Sequence, residues 1–272
     1  MTLIALEEHF AWDPASADNV VAMWLRANNT VAYDRLYDRG RLRIEQMDAA
    51  GIDFQILSLF DPGVQDETDV AHAVDLARRA NDDLAESVRA NPNRFGGFAT
   101  LATQDPDAAS VEFERAVIEL GLVGALINGH CQGRYLDDPA YEGLFARAEA
   151  LGAPVYLHPT TPHRAVMDAW FAPYVDDGLH LASWGFAAET GTHVLRLIYS
   201  GLFDKFPQLQ MIIGHPVRCC RSLPTASTAI TGSAATVPDT DYSTCPRSIC
   251  ATTFTSRQAE TSAHRPSHAR SR

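Results

Sequence analysis

Between residues 3 and 215, short apolar segments alternate with longer helix-like ones, and three of the apolar segments end in histidine. The apolar runs are Thr2-Leu-Ile-Ala-Leu before Glu7-Glu8-His9, Asp53–Phe60, Arg94–Thr100, Gly124–Asn128, Ala153–His158 and Gln210–His215. Between them, Asp18 to about Gly51, Ala71–Ala90, Asp107–Leu120, Tyr141–Leu151 and Phe186–Phe203 read as helices, with Gly51 placed where a C-cap needs positive φ. Strands and helices at this spacing predict parallel βαβ units, hence an α/β fold. At 272 residues the chain suits a single α/β barrel. In such a barrel the C-terminal ends of strands one, five and six open onto one rim, so their histidines converge there.

The opening segment is the most informative of the six. Successive strand side chains point to opposite faces, so Glu7 and His9 project together and Glu8 projects away. A carboxylate beside an imidazole at a strand end suits a divalent metal. Each histidine also has a plainer reading. His158 precedes Pro159 and can be a hydrogen-bonded loop residue, and His215 can simply satisfy a strand end. His72, His163, His180 and His193 have no strand-end placement and read as surface or packing residues, while His130 follows strand four. Three strands delivering the same residue type to one rim favour a metal or acid–base site.

Composition narrows the function classes. A net charge of −12 argues against a nucleic-acid partner, because neutralising phosphates takes clustered Lys and Arg. No apolar run reaches the roughly 18 residues of a membrane span, and residues 1–30 lack a basic start followed by an apolar run. Only Cys131 lies within the first 215 residues, as expected for a reducing, cytoplasmic protein without a disulfide framework. There is no glycine-rich dinucleotide or phosphate loop.

Through Ala5–Phe10, Ile56–Leu59, Pro62–Gln65, Arg94–Ala99, Gly121–Gly129 and Tyr135–Asp138, the chain resembles the metal-dependent decarboxylases of the amidohydrolase superfamily, particularly those acting on 2,3-dihydroxybenzoate and γ-resorcylate (2,6-dihydroxybenzoate). The resemblance is one of order and spacing. It continues through Tyr156–Pro159, Trp184–Phe186, Glu189-Thr190, Ser200–Phe203 and Ile212–His215, covering residues 3–215 nearly without gaps. It implies a (β/α)8 TIM barrel with Glu7, His9 and His158 as ligands to one divalent metal, zinc or manganese, with magnesium as a further candidate. His215 would be the active-site histidine near the scissile group. The implied substrate is a small aromatic carboxylate, and the implied reaction is non-oxidative decarboxylation of a hydroxylated benzoate by a carbon–carbon lyase. The same ligand set would also serve a hydrolase of a lactone or carbon–carbon bond, since a metal that polarises a carboxylate can activate water. Family members are typically dimers or tetramers, so a homo-oligomer is expected, with no nucleic-acid or membrane partner.

The resemblance stops at His215. Family members continue with a Gly-Glu pair, a Leu-Pro-Phe helix and two more strands, the last bearing a metal-binding aspartate. Here Pro216 opens a Ser/Thr/Ala/Arg-rich stretch with no lysine and only Asp239, Asp241 and Glu260 as acids. Its composition predicts disorder and no regular strands. A natural low-complexity tail and a diverged barrel end are two readings of it; a shifted reading frame is the third and is favoured. Let each shifted codon take its first base from one residue's third position and the rest from the next residue. Val217 onward then permits Gly-Glu-Val-Leu-Pro-Phe, and Ile249–Arg265 permits a run containing Asn-Phe-Tyr-Val-Thr, the family's seventh-strand signature. The expected division is thus a barrel domain over 1–215 with strands one to six, lacking strands seven and eight, followed by an out-of-frame tail over 216–272. A chain of that kind is expected to be inactive as written, with its parallel sheet left open.

Overall fold

The computed structural model describes residues 2–13, 23, 26–215, 229–233 and 249–254. Six strands carry the alternation: β1 (Ile4–Phe10), β2 (Phe54–Leu59), β3 (Phe95–Thr100), β4 (Gly124–Asn128), β5 (Val155–His158) and β6 (Met211–Ile213). Each pairs in parallel with the next, from β1 to β6. The helices between them are α1 (Thr30–Tyr37), α2 (Arg41–Ala50), α3 (Val70–Ala90), α4 (Pro106–Ile118), α5 (Glu142–Leu151) and α6 (Gly185–Tyr199), followed by a single turn, α7 (Leu202–Lys205). Within the span expected as one helix from Asp18 to Gly51, the described residues carry α1 and α2 as separate helices; residues 18–22, 24 and 25 lie outside the described part.

Local chemistry sets the helix ends. Asp69 caps α3 by accepting from the His72 N–H at 3.1 Å. Asp105 caps α4 by accepting from Asp107 and Ala108, and Pro106 supplies the first-turn φ. Gly51 and Gly152 close α2 and α5 in the left-handed conformation, at φ 69° and 61°.

Period-2 alternation divides the buried residues into two layers. Ile56, Phe98, Leu126, Tyr156 and Ile212 form a small cluster on one face of the curled sheet, with Leu6 and Phe54 packed against it. The intervening residues, among them Leu57, Ala99, Ile127, Leu157 and Ile213, pack with the helices in the larger core. Inner and outer rows therefore follow directly from position in the strand. At the top of the inner row, the Gln65 side chain accepts from the Asn128 N–H at 2.7 Å and donates to the Asn128 carbonyl at 2.9 Å. This pins the loop after β2 to the end of β4.

The stretch after Pro216, expected to carry no strands, contributes β7 (Ala229–Ser233) and β8 (Ile249–Phe254). The sheet order is β1-β2-β3-β4-β5-β6-β8-β7, with β8 antiparallel to β6 and β7 antiparallel to β8. β8 thus takes the edge of β6 that a further parallel strand would occupy, and Ile249-Cys-Ala-Thr-Thr-Phe254 has the β-branched and aromatic content of a strand. Antiparallel pairing separates this from a βα repeat, and parallel seventh and eighth strands are absent among the described residues. The rest of 216–272 lies outside them. Among the described residues no helix is long and apolar enough to cross a membrane.

Candidate metal centre

Strand ends bring Glu7, His9, His158 and His215 together. One ligand atom from each of Glu7, His9 and His158 lies within 4.8 Å of the others. His215 joins them through Nε2, 2.6 Å from Glu7 Oε1, while His158 Nε2 stands 3.5 Å from the same oxygen. The His9 and His158 ring centroids are 4.7 Å apart, and those of His158 and His215 5.2 Å. Phe186, at the start of α6, packs edge-on against His215.

Two side chains not singled out as site residues from the sequence hold this group in place. The Tyr156 hydroxyl donates to Glu7 Oε2, which leaves Oε1 to the imidazoles. Ser58 Oγ meets His9 Nδ1 at 3.0 Å, so that nitrogen is engaged and Nε2 is the one left over. Both were accessible to a period-2 argument, since Tyr156 lies two residues before His158 and Ser58 two after Ile56. The missing signal was the cross-strand register, which pairs His9 with Ser58.

The electrostatics suit a cation. Burial works to raise the Glu7 carboxyl, but hydrogen bonds and charge from His158 and His215 outweigh it and hold the group well below the usual carboxylate range. Burial, with the neighbouring His158 charge, pushes His9 down to about 3, so its imidazole is neutral. Burial would also lower His158, but its hydrogen bond and charge pairing with Glu7 raise it instead. An ionised carboxylate, a neutral imidazole and a second imidazole facing the carboxylate form a donor set that exchanges protons for a dication. His158 Nδ1 is buried without a hydrogen-bond partner. The donors therefore fit a divalent ion of the zinc or manganese kind.

Of the histidines read as surface or packing residues, His193 is fully buried, its Nε2 accepting from the Leu136 N–H at 3.0 Å. His72 pairs with Glu67 on the exterior, and His130, which follows strand four, meets the Tyr135 and His163 rings edge-on. A buried carboxyl on α6, Glu189, is pushed up to about 7 by burial, partly offset by the Tyr135 hydroxyl.

The site thus joins a strand-end carboxylate and histidines on a curled parallel α/β sheet. The amidohydrolase family model matches residues 9–219, and the chain belongs to that family. Among individual relatives, it is 42% identical over 224 residues to the γ-resorcylate decarboxylase of Rhodococcus jostii, covering 78% of this chain and 66% of that protein. The γ-resorcylate decarboxylase of a Rhizobium species is 43% identical over 225 residues, covering 78% and 65%. The solved 5-carboxyvanillate decarboxylase of Novosphingobium aromaticivorans, with bound manganese, superposes with a TM-score of 0.70 at 39% identity, covering 79% and 66%. The solved 2,6-dihydroxybenzoate decarboxylase from Rhizobium gives 0.70 at 42%, covering 79% and 67%. The chain thus spans slightly under two thirds of the length of the two curated relatives.

Proposed function

We propose that residues 1–215 carry the metal-binding and proton-handling half of a metal-dependent, non-oxidative decarboxylase of a hydroxylated benzoate. The observation that carries this is the meeting of Glu7, His9 and His158 at one point, with His215 Nε2 2.6 Å from Glu7. Support comes from relatives named as decarboxylases of dihydroxybenzoate and carboxyvanillate, some solved with manganese. Glu7, His9 and His158 would hold the ion. When bound, it supplies positive charge against the substrate's carboxylate and phenolate oxygens.

The remaining chemistry falls to the chain itself. Losing CO2 from an aromatic ring requires a proton at the carbon that bears the carboxylate. His215 holds a proton at Nε2 against Glu7 and delivers it to that carbon. The carbon–carbon bond then breaks, its electron pair returns to the ring, and CO2 leaves. Phe186 beside His215 offers an apolar wall to an aromatic ring. Tyr156 and Ser58 keep Glu7 and His9 in register during the transfer.

The same reading extends to the rest of the protein: a reading frame displaced at Pro216, a cytoplasmic location and a homo-oligomeric intact form. The experiment uses a version with the frame restored after His215, assayed on dihydroxybenzoates by CO2 release and mass spectrometry of the product. Activity is expected to vanish on chelation, to return with manganese or zinc, and to fall at least 100-fold in His215→Asn, on the scale of general acid–base catalysis. Activity untouched by exhaustive chelation would refute the metal's role, and a ring-opened or hydrolysed product would favour the hydrolase chemistry instead.

A further inference from the structure

Glu8 lies between two metal-ligand candidates in sequence, yet its partners are elsewhere. Its Oε2 accepts from Gln55 Nε2 at 3.0 Å and stands 3.9 Å from Arg43 Nη1. Arg43, on α2, is only 9% exposed. Its Nη2 donates to the His9 carbonyl at 2.8 Å and to the Arg35 carbonyl at 3.3 Å, and its Nε donates to the Asp38 carbonyl at 2.8 Å. Its Nη1 donates to Gln55 Oε1 at 3.5 Å. One guanidinium therefore grips the backbone of His9, the carboxylate between Glu7 and His9, and the chain that leads into α2.

The strand it grips is irregular at this point. Ala5 pairs with Gln55 and Glu8 with Leu57, so three steps along β1 match two along β2. Such a bulge re-aims side chains and interrupts the ladder, so the ladder alone does not fix where they point. A fork of five N–H donors can satisfy three carbonyls and two side chains at once; an ammonium on a flexible stem cannot.

We propose that Arg43 is a positioning residue for the metal centre, holding the β1 bulge from the helix side so that Glu7 and His9 face His158. This rests on the reading of Glu7, His9 and His158 as metal ligands. The test titrates manganese into the full chain and follows free ion by electron paramagnetic resonance, for the wild type, His158→Ala, Arg43→Met and Arg43→Lys. The folded fraction of each is measured in parallel by circular dichroism. Arg43→Met is expected to bind about 10- to 100-fold more weakly per folded molecule, the scale for groups that orient metal ligands, with Arg43→Lys in between. A purely structural role would lower the unfolding midpoint and leave the affinity of the folded protein unchanged; that result would overturn the proposal. If Arg43→Met does not fold, Arg43→Lys decides, and wild-type affinity there overturns it equally. Equal binding by wild type and His158→Ala would remove the ligand reading itself, and the proposal with it.

Discussion

Glu189 shows how one buried group ties stability to pH. It is 4% exposed, and burial pushes its carboxyl from 4.5 up to about 7. The unfolded chain loses this proton near 4.5, whereas the folded chain keeps it until about 7. Over that window the unfolded state binds fewer protons, so stability falls as pH rises and levels off above about 7. The whole effect is at most about 3 kcal/mol, since each tenfold change in proton affinity is worth about 1.4 kcal/mol. Glu189→Gln keeps the shape and hydrogen-bonding character of the protonated acid without its titration. Urea unfolding at pH 5 and pH 8 should show a smaller loss of stability in the variant than in the wild type. Equal losses in both would show that Glu189 is not the group responsible. Tyr156 and Ser58 act differently, setting direction rather than charge, because each occupies one atom of Glu7 or His9 and leaves the other for the site.

At the scale of elements, the close approach of β5 and β6 is what lets Tyr156 reach Glu7. Gly214 follows directly on β6, and a Cβ there would lie 2.7 Å from the Tyr156 ring and 2.8 Å from its hydroxyl oxygen. The restriction is one of space, and any side chain must push Tyr156 off Glu7. Gly214→Ala should therefore cost about 1–3 kcal/mol, the usual range for overpacking, and weaken metal binding at the same time. Unfolding curves and a manganese titration on the same sample test both effects, and an unchanged affinity in the folded variant would show that Tyr156 does not orient Glu7. The element pattern was largely legible in advance, because β2 to β6 are short apolar runs and the helices after β2 and β3 carry side-chain N-caps from Asp69 and Asp105. The split of α1 from α2 was not, because Asp38 and Gly40 interrupt an otherwise helix-compatible run with turn chemistry: the Asp38 side chain accepts from the Gly40 and Arg43 N–H groups.

At the scale of the molecule, six parallel strands curl toward closure and two antiparallel strands follow on the β6 side. A parallel barrel closes only when strand tilt and stagger agree around the ring, and antiparallel additions do not continue the βα repeat. On the proposed displacement of the reading frame, restoring it after His215 should raise the unfolding temperature and bring metal content to one ion per chain, against weaker and substoichiometric binding in the chain as written. Calorimetry and metal analysis of the two proteins side by side test this, and matching values would refute the frame reading's structural consequence. The sequence by itself determined the fold class and placed Glu7, His9, His158 and His215 at strand ends, because hydrophobic period and strand direction are local properties of the chain. Only the tertiary structure decided that the three histidines gather around the Glu7 carboxylate, that Tyr156 and Ser58 orient Glu7 and His9, and that Arg43 grips the strand from behind. Those contacts depend on register, on a one-residue bulge and on a glycine's missing Cβ, and each arises between segments that are distant along the chain.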